Sequence, residues 1–124
     1  MVNSKRKGTK FEYDCKEWLK QQLPHAEVFR SPASLGSADL IVISRYEVET
    51  ESNIVICSYV GLIQCKYLRK YMSNREAVQL SSDANRIGAL AFLAYRDKPR
   101  GKIFIDQLWP NVEHRVKRLI FASN

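Results

Sequence analysis

The sequence predicts an α/β fold, a central mixed β-sheet flanked by α-helices in the order α-β-β-β-α-β-β. Three observations lead there. Helical apolar stripes open the chain and return near its middle. Apolar runs rich in β-branched residues lie between and after those stripes. Pro, Gly, Ser and Asn punctuate the boundaries. With 124 residues, the chain reads as one domain spanning 1–124, large enough for a core but without room for a second module. A composition of 45% hydrophobic and 27% charged residues is that of an ordinary globular chain and argues against disorder.

Charge narrows the function. Twenty Lys and Arg against thirteen Asp and Glu leave +7, which favours a polyanionic partner, nucleic acid before membrane. A solubilising charge without any partner is the competing reading. The three cysteines, Cys15, Cys57 and Cys65, form no CxxC pair and fit free thiols in a reducing interior rather than a disulfide scaffold or zinc site. No apolar run approaches the roughly 18 residues of a membrane span, and the basic N-terminus lacks a following apolar core. A soluble, intracellular (cytoplasmic) protein is expected.

Residues 1–8, ending in Lys5-Arg6-Lys7-Gly8, read as a short basic arm. Thr9 then caps a helix, with Glu12 completing a capping-box pattern and Phe11, Cys15, Trp18, Leu19 and Gln22 on one stripe before Leu23-Pro24 ends it. Glu12 has two readings: the capping-box partner, or a carboxylate aimed at the sheet from the edge of the stripe. Ala26–Arg30 alternates as a strand, and the loop over 31–37 is rich in turn residues.

Leu40–Ile43 reads as a central strand covered on both faces. Glu47, Glu49 and Glu51 mark a solvated hairpin end, and the strand resumes over Ile54–Val60 and Leu62–Lys66. Gly61 between them signals a bulge or a close approach. Pairing of 39–47 with 54–66 is the simplest topology. Tyr67–Tyr71 mixes bases with aromatics, as a phosphate grip or a strand exit. Ser73 or Asn74 caps a helix through Arg86, with Ala77, Leu80, Ala84 and Ile87 as its stripe and Gly88 past its end. Leu90–Tyr95 is a buried strand, Arg96–Gly101 a basic turn, and Lys102–Asp106 a strand nearer an edge. Pro110–Arg118 has weak helical periodicity, and Leu119–Phe121 reads as a terminal strand. His25 and His114 lack partners at metal-ligand spacing and receive no role.

The chemistry gathers between Arg30 and Lys66. Asp39 starts one strand; Gln64 and Lys66 end another, two residues apart and so on one face, with Cys65 on the other. If the strands pair, an acidic oxygen, an amide oxygen and an ammonium converge, the set that metal-assisted phosphodiester hydrolysis requires. The spacing taken by itself is loose. The helix-borne Glu12 and the basic charge strengthen it.

In these motifs the chain resembles the archaeal-type Holliday junction resolvases, a branch of the PD-(D/E)xK nuclease superfamily. The likeness runs from Lys5-Arg6-Lys7-Gly8 and Glu12 through Arg30-Ser31-Pro32-Ala33-Ser34, Ala38-Asp39-Leu40-Ile41 and Gln64-Cys65-Lys66 to Ala89–Tyr95, about residues 5–96. It implies a restriction-endonuclease-like fold and a metal-dependent endonuclease that resolves four-way junctions by paired symmetric nicks. By the resemblance, Glu12, Ser34, Asp39, Gln64 and Lys66 are the catalytic set. Glu12, Asp39 and Gln64 hold Mg²⁺, with Mn²⁺ as a possible substitute. Lys5, Arg6, Lys7, Arg30 and Arg69 are assigned to DNA phosphates.

Two nicks related by symmetry imply a homodimer, with Leu108, Trp109, Ile120 and Phe121 as interface candidates that fit the core equally well. The chain departs from the family in having Ala38 for proline, a shorter loop before Asp39, a longer hairpin, and Gln64 for the usual glutamate, which implies weaker cation affinity. Two rival readings stand beside this one. One is a restriction- or repair-like endonuclease acting on duplex DNA, the other a nuclease-fold DNA-binding protein without catalysis.

Overall fold

A computed structural model describes residues 3–23, 25–32 and 36–110. Its elements are α1 (Asn3–Gln22), β1 (Glu27–Arg30), β2 (Leu40–Glu49), β3 (Ile54–Leu68), a 3-10 turn (Arg69–Tyr71), α2 (Asn74–Ile87), β4 (Leu90–Arg96) and β5 (Ile103–Trp109). The five strands form one sheet in the order β1-β2-β3-β4-β5. Only the β3–β4 pair is parallel, and α2 is the crossover that joins them. The mixed α/β sheet and the 39–47 with 54–66 pairing are as the sequence predicts. The described residues contain no helix long and apolar enough to cross a membrane.

The two helices cover opposite faces. Alternation along β3 and β4 sends Ile63 and Phe92 into one apolar cluster and their neighbours Leu62 and Ala91 into another. The first cluster lies under α1, whose Phe11, Cys15 and Leu19 are buried at intervals of four residues, with Leu23 just past its end continuing the row. The second lies under Leu80 and Ala84 of α2. Gly61 is a close approach rather than a bulge. A Cβ there would stand 2.7 Å from Val42 Cγ1 and 2.8 Å from the Phe92 ring.

Several local expectations change. Helix α1 begins at Asn3, so Lys5, Arg6, Lys7 and Gly8 are its first turns and not an arm, and Thr9 lies inside the helix instead of capping it. Lys and Arg propagate a helix well, and one glycine costs only about 1 kcal/mol. Gln22 and Ile87 are exposed, and Leu23 takes the buried position expected of Gln22. Ile43 is 45% exposed, because α2 lies against β3, β4 and β5 and leaves that end of β2 uncovered. Leu108 packs against the α2 cluster, whereas Trp109 is partly exposed. The expectations for 111–118 and 119–121, including Ile120 and Phe121, lie outside the described residues.

Candidate active site

Register gathers the predicted site at one end of the sheet. That end holds the start of β2, the C-terminal ends of β1, β3 and β4, and the start of β5. Asp39 stands one residue before β2. Its N–H donates to the Ile63 carbonyl (2.8 Å), and its Oδ2 accepts the Cys65 N–H (2.7 Å). The carboxylate therefore lies against the backbone of the β3 segment that carries Gln64 and Lys66. Burial is the main reason its pKa rises from 3.8 to about 6. The Cys65 N–H opposes that shift, the nearby Glu12 and Glu76 charges add to it, and Lys66 offsets part of it.

Gln64 and Lys66 share a face, as alternation requires, and both meet one carboxylate. Gln64 Nε2 donates to Glu76 Oε2 (3.0 Å), and Lys66 Nζ lies 2.6 Å from the same oxygen. Glu76 is the third residue of α2. Its Oε1 accepts the Ser73 N–H (3.0 Å) while its own N–H donates to Ser73 Oγ (3.1 Å), which completes a capping box. One carboxylate thus closes the helix N-terminus and anchors both β3 side chains. The Lys66 hydrogen bond first, and the Ser73 N–H second, lower its pKa from 4.5 to about 2.

With its amide nitrogen held by Glu76, Gln64 has its Oε1 buried and without a hydrogen-bond partner. Such an orphaned acceptor is unusual in a packed interior and suits a hard cation. The oxygen-bearing side chains expected to hold it are Asp39, Gln64 and Glu12, and the Glu12 charge acts on the Asp39 carboxyl. Among the described residues no group of three or more His, Cys, Asp and Glu side chains could hold a metal. Glu12 Oε2 accepts a hydrogen bond from Arg30 Nη2 at 3.1 Å.

Other predicted residues are placed differently. Arg30 is 65% exposed but turned toward Glu12. Arg69 Nε lies 3.6 Å from Asp106 Oδ2, with its guanidinium 5.9 Å from the centre of the Tyr95 ring. Lys5, Arg6 and Lys7 lie in the first turns of α1, and their side chains are outside what is described, as is all of Ser34. The loop that follows Ser34 is fastened to α2. Ser37 Oγ donates to Asp83 Oδ2 (2.8 Å), and Gln79 Nε2 donates to Asp83 Oδ1 (3.1 Å). The Ser37 hydrogen bond leads in holding the Asp83 carboxyl below its usual range.

Glu76 and Asp83 were absent from the predicted set. The Ser73-Asn74-Arg75-Glu76 spacing is a capping-box signature and could have drawn attention to Glu76. No local pattern points to its contacts with β3.

Comparison with solved structures finds the same fold. The 1.6 Å structure of Archaeoglobus fulgidus Hjc, a Holliday junction resolvase from an archaeal hyperthermophile, is 23% identical with a TM-score of 0.56. The match covers 86% of this chain and 79% of that chain. No protein-family model matches the chain, and no curated protein matches it significantly. The five-stranded mixed sheet with its two helices is thus the α/β fold of that resolvase, the fold that the sequence resemblance implies.

Proposed function

We propose that this chain is a metal-dependent endonuclease that acts on branched DNA and resolves four-way junctions by paired nicks. The observation that carries the reading is the Asp39–Gln64–Lys66 cluster, with its unpartnered Gln64 Oε1. The likeness of fold to a resolvase supports it, as does the net charge of +7.

Asp39, Glu12 and Gln64 Oε1 would hold the divalent cation, Mg²⁺ or Mn²⁺. The cation supplies acidification of a water and neutralisation of charge at the phosphate. Lys66, fixed by Glu76, presents its remaining donors to the phosphoryl oxygens where charge builds up. The Cys65 N–H keeps Asp39 Oδ2 in place and leaves Oδ1 to the site. Ser34 positions a phosphate oxygen. Arg30, Arg69 and the Lys5–Lys7 turn hold backbone phosphates, contacts that orient the DNA without reading its sequence. Two symmetric nicks call for two copies of the site about a two-fold axis, hence a homodimer.

Cleavage of an end-labelled four-way junction, beside a linear duplex of the same sequence, tests this. Each is run with Mg²⁺, with EDTA, and with Asp39→Asn protein. Paired symmetric nicks in the junction only, lost with EDTA and with the variant, are expected. Equal cutting of the linear duplex would replace the junction with duplex DNA as substrate. Tight binding without cutting, even in Mn²⁺, would overturn the catalytic reading and leave a DNA-binding protein.

A further inference from the structure

The β4–β5 connection, Asp97-Lys98-Pro99-Arg100-Gly101-Lys102, has a basic tip with an unusual backbone. Gly101 N–H donates to the Lys98 carbonyl (2.8 Å), and Asp97 N–H donates to the Lys102 carbonyl (3.3 Å). Pro99 and Arg100 occupy the centre of the inner turn, and Arg100 has φ +62°. Pro followed by a left-handed residue is the pattern of a type II turn, whose third position ordinarily holds Gly or Asn. A side chain there costs free energy that Gly avoids. The neighbouring Gly101 answers a separate need, because a Cβ on it would stand 2.9 Å from the Lys98 backbone carbonyl oxygen. The chain therefore sustains backbone strain at a position where it carries a long cation.

The tip is also fastened to the elements that bear the site. Arg100 N–H donates to the Tyr67 hydroxyl (3.2 Å). Tyr67 directly follows Lys66, and its ring meets Phe11, the neighbour of Glu12, edge-on at 5.7 Å. Arg96 Nη1 donates to the Gly101 carbonyl (2.6 Å), and Arg96 Nη2 donates to Asp14 of α1 (3.3 Å). Lys98, Arg100 and Lys102 are all exposed. None of the three takes part in the ion pairs made by Lys20, Arg30, Lys66, Arg69 and Arg96. Register puts this turn at the same end of the sheet as Asp39 and Lys66.

We propose that the β4–β5 turn is a DNA-backbone-binding element with Arg100 as its central phosphate contact. It extends the surface beside the site beyond Arg30, Arg69 and the α1 lysines, and it rests on the reading of the chain as a DNA-cutting enzyme. Backbone phosphate is the natural partner. The three cations lie on one short connection, exposed and outside those ion pairs, and the Arg100 and Gly101 N–H groups already donate within the protein. That leaves charge, rather than shape or base-edge recognition, as what the turn offers.

The test uses the full chain and a fluorescently labelled four-way junction in EDTA, with binding measured by anisotropy from 50 to 200 mM salt. Arg100→Gly should weaken binding by roughly 5- to 10-fold and make the plot of log K against log salt shallower by about 1. Its Tm should equal or exceed that of the parent, since the left-handed residue becomes glycine. Arg100→Asn should behave in the same way, and Arg100→Lys should keep most of the binding. Curves for Arg100→Gly that superimpose on those of the parent overturn the proposal. So does a binding loss that comes with a large fall in Tm in both the Gly and Asn variants, because the arginine would then hold the turn together. Failure of the parent protein to bind any DNA would instead remove the functional reading beneath it.

Discussion

Glu76→Gln separates two tasks that one carboxylate performs. Glutamine keeps the shape and can still close a capping box, so the start of α2 is preserved. What disappears is the negative charge facing Lys66 Nζ at 2.6 Å. A fall in pKa from 4.5 to about 2 amounts to about 3–4 kcal/mol at full strength, at about 1.4 kcal/mol per pH unit. The Glu76 side chain is 34% exposed, and solvent screening reduces the expected effect to about 1–2 kcal/mol. Because the folded pKa is depressed, ionised Glu76 stabilises the protein fully above pH 4.5. That contribution is lost as the pH falls toward 2. Urea unfolding followed by tryptophan fluorescence should show the variant less stable by about 1–2 kcal/mol at pH 7 and pH 5, with the gap closing near pH 2. An equal deficit at pH 7 and pH 2.5 would refute the reasoning, since it would trace the loss to helix capping or packing rather than charge.

Three further outcomes follow from the same geometry. Asp39 has the opposite sign: its raised pKa gives stability that is present below about 4 and lost as pH rises through about 6. Asp39→Asn should therefore abolish cleavage yet stabilise the metal-free protein at pH 7 by about 1–2 kcal/mol, with the two proteins converging at pH 4 in thermal scans with EDTA. Gln64→Glu should raise Mn²⁺ affinity on the order of tenfold by calorimetry. It should also lower metal-free stability, because a second carboxylate would replace the amide now 3.0 Å from Glu76; unchanged affinity would remove Gln64 from the cation site. Gly61→Ala forces a methyl against Val42 and Phe92, and should destabilise by about 1–3 kcal/mol, lowering Tm by roughly 5–15 °C. A Tm within a degree or two of the parent would mean that the core yields at that point.

Strand periodicity is a local property, and that is why so much of the site was legible in the residues. Alternation placed Gln64 and Lys66 on one face and Cys65 on the other. The apolar runs set the β2–β3 register that brings Asp39 to that segment, because a one-residue slip would turn every buried side chain outward. Cap and stop residues located α2 between a cap at Ser73 or Asn74 and Gly88, and for Gly61 the residues left a bulge and a close approach open, of which the structure has the close approach.

Tertiary packing decided the rest. Glu76 meets Gln64 and Lys66 across 12 and 10 residues because the β3–α2–β4 crossover sets the start of α2 over the end of β3, a relation that no local spacing encodes. The raised pKa of Asp39 likewise depends on burial, which exists only after α1, β2 and β3 have packed. Ile43 looked central but stands exposed because α2 lies over β3, β4 and β5. Composition and periodicity determine the α/β sheet and the order of its parts. The ion pairs that tune the site, and the pinning of Arg100 to Tyr67, come from contacts between elements distant in sequence, whose relative placement depends on the packing of the whole core.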